Sequence, residues 1–142
     1  LADGHPIPVR NPRAVRPWQH VLEPLSGYLL LAQKLWESNK QSLQDAFNFG
    51  PGGDTSKSVQ DLVEATLKYW PGSWKNVTSK DSLHEVREIS LSTEKAKSQL
   101  GWTPRWAFHE TVENTVHWYK NYYNQTPPRE LTLQQIKGYS QT

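Results

Sequence analysis

The chain has 142 residues, 16 Lys and Arg against 14 Asp and Glu, a net charge of +2 and a pI near 8.8. That is one domain's worth of chain, enough to bury a core. So small a charge excess excludes a supercharged nucleic-acid binder, and any anion preference must come from local clustering such as Arg10, Arg13 and Arg16. The chain contains no Cys, which excludes disulfides and thiolate metal sites and fits a cytoplasmic setting. Its longest apolar run, Tyr28 to Ala32, is far short of the roughly 20 residues that a membrane span needs. It opens on Leu1 and a strand-like segment, with neither Met nor a signal-peptide pattern, as expected of a piece of something longer.

Pro6 to Arg10 reads as a short edge strand, because proline cannot join a central ladder. Trp18 to Val21 reads as a second extended piece. Glu23-Pro24 then opens a helix, with Pro tolerated in its first turn. Leu25, Tyr28, Leu29, Ala32, Leu35 and Trp36 form one side of it, and Ser26, Gln33, Lys34 and Glu37 the other. Leu30 falls outside the stripe and hints at a second surface to cover. Ala46 to Gly50 alternates as a strand before Pro51-Gly52-Gly53. Ser58 is placed to cap a helix in which Val59, Leu62, Val63, Thr66, Leu67 and Trp70 recur at helical spacing, and Pro71-Gly72 stops it. Trp74 to Thr78 and Glu88 to Leu91 read as short strands. Ser92 caps a brief helix that ends at Gly101, a natural left-handed position. A long helix follows from about Ala107 to Tyr123, with Phe108, Val112, Val116, Tyr119 and Tyr123 as its apolar stripe. After Pro127-Pro128, Leu131 to Ile136 reads as a final short helix with a Thr132–Gln135 capping box. The pattern is mixed α and β, with strands too few and too short for an independent doubly wound sheet.

The most chemically suggestive stretch runs from Arg10 to Leu25. Pro12 and Pro17 hold Asn11 and Arg16 extended, so this loop is expected to be stiff. Arginines on a stiff loop suit phosphate, because guanidinium presents a planar fork that binds oxyanions bidentately. From chemistry alone, a plain surface loop with solvated arginines stands level with that reading. His109, Glu113 and His117 share a helix face at ligand-like spacing, but a solvated face with a Glu113–His117 ion pair accounts for them better than a metal. Gly50-Pro51-Gly52-Gly53 sits between a strand and a helix, where a phosphate loop would sit. Thr55 and Ser56 stand where further glycines would be needed, so the segment reads as a turn.

The string RNPRAVRPWQHVLEPLSGYLLLA, Arg10 to Ala32, resembles the corresponding segment of CDP-glucose 4,6-dehydratases, within the extended short-chain dehydrogenase/reductase superfamily. Asn48-Phe49-Gly50-Pro51, His84-Glu85, Lys95-Ala96, Leu100-Gly101-Trp102-x-Pro104 and Thr115-Val116-x-Trp118-Tyr119 follow in family order and extend the likeness over nearly the whole chain. The resemblance implies the C-terminal, substrate-binding portion of an extended Rossmann-type dehydratase, an α/β fold with helices and few short strands, as one unit over residues 1–142. It implies nucleotide-sugar binding by Arg10, Arg16, Trp18, Asn48 and His84, with CDP-glucose or a similar nucleotide sugar as partner. Related enzymes read Arg-Pro-Gly-His-Asp near the pyrophosphate. This chain keeps His84 and an acid but has Asp81-Ser82-Leu83 ahead of them, which shifts the phosphate role onto Arg10 and Arg16.

The superfamily's catalytic Tyr-x-x-x-Lys pair and its NAD-binding Gly-x-x-Gly-x-x-Gly turn do not occur in these 142 residues. The resemblance therefore implies NAD and hydride chemistry in a missing N-terminal part, with no catalytic residue and no cofactor expected on this chain alone. The strand around Phe47 to Phe49 is expected to pair with that part's sheet, and the helix faces carrying Leu30 and Trp36 to pack near it. A homo-oligomer is the other partner that would cover such faces, and a non-catalytic nucleotide-sugar or anion-binding module is the alternative function.

Overall fold

The computed structural model describes residues 1–38, 41–52, 57–79 and 86–141. In chain order its elements are strand β1 (Ile7–Val9), helix α1 (Leu22–Glu37), a single 3-10 turn (Gln41–Leu43), helix α2 (Val59–Tyr69), strand β2 (Trp74–Asn76), a wide π-type turn (Ala96–Leu100), helix α3 (Phe108–Tyr123) and helix α4 (Pro128–Gln141). β1 and β2 pair in parallel as a two-stranded sheet, Ile7 opposite Trp74 and Val9 opposite Asn76. Helices with few short strands are what the sequence led us to expect. Among the described residues no helix is long and apolar enough to cross a membrane.

Local chemistry sets most of the boundaries. Ser58 Oγ accepts the Asp61 N–H at 3.1 Å while Asp61 Oδ2 accepts the Ser58 N–H at 2.8 Å, a reciprocal cap that starts α2. Gly101, at φ 72°, ends the π-type turn; its N–H reaches the Lys97 carbonyl and that of Trp102 reaches Ala96. The Ala107 N–H donates to Glu110 Oε2 at 2.9 Å at the start of α3. α4 begins earlier than the sequence suggested. Pro128 opens it, because a first-turn N–H has no helical acceptor to lose. Thr132 and Gln135 then lie inside the helix and tie it to α3: the Trp118 indole donates to Thr132 Oγ1, and Gln135 Nε2 donates to the Asn114 carbonyl at 2.6 Å.

Two apolar clusters form the core. Ala65 of α2 packs on Val112 and Val116 of α3, flanked by Leu62, Tyr69, Trp70 and Phe108. Leu43, Phe49, Ala96, Leu100 and Trp102 form the other, against Leu30 and Leu31 of α1. Three short strands expected from the sequence are absent as such. Ala46 to Gly50 joins no strand among the described residues; its Phe49 ring is buried and its Phe49 carbonyl is taken by the Gln19 side chain. Trp18 to Val21 and Glu88 to Leu91 yield at most single bridging residues, because the pairing falls at Val15 instead.

α1 lies the other way round from an ordinary surface helix. Glu23 and Gly27 are its buried positions, and Leu30 and Leu31 pack on the core, so the side with Ser26 and Lys34 turns inward. Leu30, expected on a face left for another part, is instead packed within this chain. Gly27 is needed there, since a Cβ would collide with the Phe49 ring. The apolar stripe points to solvent: Tyr28 is 56% exposed, Leu29 74% and Trp36 93%, with Val21, Leu25 and Leu35 also exposed. Apolar surface of this extent drives association. Sedimentation velocity should show concentration-dependent self-association of the chain, and Leu29→Lys combined with Trp36→Ser should return it to monomer. The melting free energy should move by no more than about 0.5 kcal/mol per substitution, as for surface positions generally.

Candidate functional site

The loop from Pro12 to Gln19 is held from both sides. Val15 bridges antiparallel to Ser58, at the start of α2, and parallel to Glu88. On the first side the Val59 N–H donates to the Ala14 carbonyl at 2.9 Å and the Arg16 N–H to the Lys57 carbonyl at 3.3 Å. On the second the Val15 N–H donates to the Arg87 carbonyl at 2.8 Å and the Ile89 N–H to the Val15 carbonyl at 3.3 Å. Proline supplies part of the reason: Arg16, ahead of Pro17, is kept from helical closure and turns its N–H laterally to Lys57, whereas the Asn11 carbonyl accepts the Ala14 N–H at 3.3 Å in a turn over Pro12 and Arg13.

Side chains extend the same hub. Arg16 Nη1 donates to the Val15 carbonyl at 2.7 Å and to Val86 at 3.1 Å. The half-buried Trp18 donates its indole N–H to the Lys57 carbonyl at 3.0 Å. Gln19 Nε2 donates to the Phe49 carbonyl at 2.9 Å, which brings the segment bearing the exposed Asn48 to this loop. Arg10 stands elsewhere, exposed beyond β1, with its carbonyl accepting the Thr78 hydroxyl at 2.7 Å. His84 lies outside the described residues, as do Asp81 to Leu83. The structure thus joins Arg16, Trp18 and the Asn48 segment, and sets Arg10 at the end of the small sheet. His117 packs edge-on against Tyr69 at 5.6 Å, and among the described residues no group of three or more His, Asp or Glu side chains is placed to hold a metal.

Directly after the loop, Glu23 is 0% exposed. Its carboxylate accepts the Arg105 N–H at 3.1 Å, the Trp106 N–H at 2.7 Å and the Tyr139 hydroxyl at 2.8 Å. Tyr139 OH also lies 3.0 Å from Ser26 Oγ, which accepts the Trp102 indole N–H at 2.9 Å. The Arg105 side chain closes the ring by donating to the Tyr139 carbonyl at 2.8 Å. His20, also buried, meets the Trp106 ring edge-on at 4.8 Å, and its Nδ1 accepts the Leu22 N–H at 3.2 Å. A cleft of about 380 Å³ opens beside it, lined by Gln19, His20, Val21, Trp118, Tyr119 and Gln135 among others. Sequence reasoning missed this clasp. The acid opening α1 was a visible signal, but its partners lie 82 to 116 residues further on. Chemically, the indole and amide N–H groups brace the loop against backbone carbonyls, and guanidinium is the group on it suited to an oxyanion.

No family model matches the chain. Its fold matches the dTDP-glucose 4,6-dehydratase of Bacillus anthracis str. Ames, solved in complex with NAD, at a TM-score of 0.65 and 24% identity over 84% of this chain and 36% of that one. A UDP-glucose 4-epimerase structure matches at a TM-score of 0.65 and 18% identity, over 82% of this chain and 36% of that one. The UDP-glucose 4-epimerase of Pisum sativum is 30% identical over 121 residues, 83% of this chain and 33% of the relative. The chain belongs to the extended short-chain dehydrogenase/reductase family, among its sugar-nucleotide dehydratases and epimerases, and has the fold of the C-terminal part of such a protein. Within that family it is 40% identical to the CDP-glucose 4,6-dehydratase of Salmonella typhimurium, over 79% of this chain and 31% of that enzyme. It spans about a third of the length of these relatives.

Two outcomes follow from the clasp. Glu23→Ala leaves buried N–H and O–H donors without an acceptor and should cost about 3–5 kcal/mol in a denaturant melt. Glu23→Gln, which keeps one acceptor oxygen, should cost about 1–3 kcal/mol. The second outcome concerns pH. Burial lowers the His20 pKa, against the opposing pull of Glu23, so the unfolded chain takes up a proton first and stability should fall as pH drops below about 6.5. Burial, with Glu23 beside it, pushes the Tyr139 hydroxyl up to about 12. That stability is complete below pH 10 and should be lost as pH rises toward about 12. Melting temperatures measured across this range check both limbs, and Tyr139→Phe should remove the alkaline one.

Proposed function

We propose that this chain is the nucleotide-sugar-binding portion of a CDP-glucose 4,6-dehydratase. The whole enzyme would convert CDP-glucose to CDP-4-dehydro-6-deoxyglucose and water, in a cytoplasmic setting and on the way to surface polysaccharide. The observation that carries the reading is the loop from Pro12 to Gln19, which lies within the Arg10 to Ala32 string that resembles these dehydratases and is pinned to the start of α2 and to residues 87–89. Arg16 would grip the pyrophosphate, Trp18 and Asn48 would line the ligand, and Arg10 and His84 would border it. NAD is assigned to the part of the fold outside these 142 residues, since this sequence holds neither the glycine turn nor the Tyr-x-x-x-Lys pair that would fit it. The same outside part would cover the exposed stripe of α1 and pair with residues 46–50.

On this reading the chain alone neither binds NAD tightly nor turns over CDP-glucose, and product formation by it would overturn the assignment. In the enzyme reconstituted with its cofactor-binding part, Arg16→Ala should weaken CDP-glucose binding by roughly tenfold to a hundredfold, the worth of about 1.5–3 kcal/mol for a charge-assisted contact. Arg16→Lys should recover part of the loss, because ammonium keeps the charge but not the fork. Arg13→Ala is the control and should change little. Isothermal titration reads all three, and a thermal melt of each separates lost contact from a loosened loop. Tight CDP-glucose binding with no turnover, even with the cofactor part present, would favour a non-catalytic binding module.

A further inference from the structure

The candidate site is divided between two bodies. Arg16 and Trp18 go with the start of α2, because the Arg16 N–H and the Trp18 indole both donate to the Lys57 carbonyl. Asn48 goes with the other core. Phe49, next to it, buries its ring edge-on against Trp102 at 5.0 Å and Tyr28 at 5.4 Å, while Asn48 itself stays exposed. Upstream, Lys95 holds the same segment: its Nζ donates to Asp45 Oδ2 at 2.6 Å and to the Ala46 carbonyl at 2.9 Å, and lies 4.7 Å from the centre of the Phe47 ring. Side chains thus fix residues 46–50, which join no strand. What ties this segment to the loop is the hydrogen bond from Gln19 Nε2 to the Phe49 carbonyl, at 2.9 Å. Its two ends lie one residue from Trp18 and one residue from Asn48, so a shift in the bond moves both.

Gln19 makes that bond at a cost to the fold. With Nε2 on the Phe49 carbonyl, the other end of its amide, Oε1, is buried and has no hydrogen-bond partner among the described residues. A buried acceptor left unmade is destabilising, and an apolar side chain of similar length would avoid it. Packing alone therefore gives no reason for an amide at this position; the N–H that reaches Phe49 does. We propose that Gln19 is a positioning residue, whose bond to the Phe49 carbonyl sets where Asn48 stands relative to Arg16 and Trp18. That these side chains meet a nucleotide sugar rests on the reading above; the coupling of the two segments does not.

The test is a double-mutant cycle on Gln19→Met and Asn48→Ala in the enzyme reconstituted with its cofactor-binding part, with CDP-glucose binding read by isothermal titration. Gln19→Met alone should weaken binding by roughly threefold to thirtyfold. Added to Asn48→Ala it should cost less than about twofold further, because a side chain already removed cannot be misplaced. Gln19→Glu, of the same length but with no N–H to donate, should act as Gln19→Met does. In the 142-residue chain, amide order parameters of Asn48 to Gly50 should fall from about 0.85 toward about 0.6 in both Gln19 variants, while those of α2 hold. An equal loss of affinity with and without Asn48→Ala would mean that Gln19 acts on the ligand directly or on the fold at large, and would overturn the proposal. Unchanged order parameters in both Gln19 variants would overturn it as well. No binding of CDP-glucose by the unsubstituted enzyme would overturn the nucleotide-sugar reading instead, and a fall in the order parameters would still support the coupling.

Discussion

A single buried carboxylate holds the halves of this structure together. Glu23 belongs to the first turn of α1, its backbone donors to the segment that leads into α3, and its hydroxyl donor to the end of α4. A charged group with no solvent contact survives only where donors surround it. Here those donors come from the segment ahead of α3 and from α4, and Ser26, one turn further along α1, meets the same two through Trp102 and Tyr139. Remove the carboxylate and α1 loses its bonds to both the segment ahead of α3 and the end of α4. The loop that precedes Glu23 is anchored at this end through His20, whose ring packs on Trp106.

The dependence continues outward. His20 sits on Trp106, Trp106 on Tyr139, and Arg105 lies over the Tyr139 ring at 5.0 Å, so the clasp is wrapped in aromatic edges that keep water out. Beyond it the loop is tied to α2 through Trp18 and to the Phe49 cluster through Gln19, neighbours in sequence that anchor to different bodies. Rigidity at the candidate site is thus borrowed from both cores, and this is how a proline-rich surface segment can hold side chains in place.

What could be read from the sequence was local. The Ser58 cap, the left-handed Gly101 and the extents of α2 and α3 follow from residues within a few positions of each other, and the family likeness of the Arg10 to Ala32 string is a linear signal as well. What could not be read was pairing at a distance. Residues 46–50 alternate like a strand but pair with no strand within the described chain, and the bridges at Val15 depend on segments some 40 and 70 residues away. The helical period of α1 was legible, but its orientation was not. An apolar stripe announces burial without naming what buries it, and the side that this chain covers is the one with Glu23, Ser26 and Gly27.

The outward stripe has a spectroscopic corollary. Trp36 stands at its far end, surrounded by water, whereas Trp102 and Trp106 are enclosed in the interior. Indole emission shifts to shorter wavelength when the ring leaves water, so Trp36 can report any event that covers α1, while the enclosed pair reports whether the interior is intact. Trp18, Trp70, Trp74 and Trp118 are half-buried and emit between these extremes, so the Trp36 signal is isolated by comparing the chain with a Trp36→Phe variant. A change in the Trp36 signal without one from the enclosed pair would show a surface being occupied on a framework that has not moved.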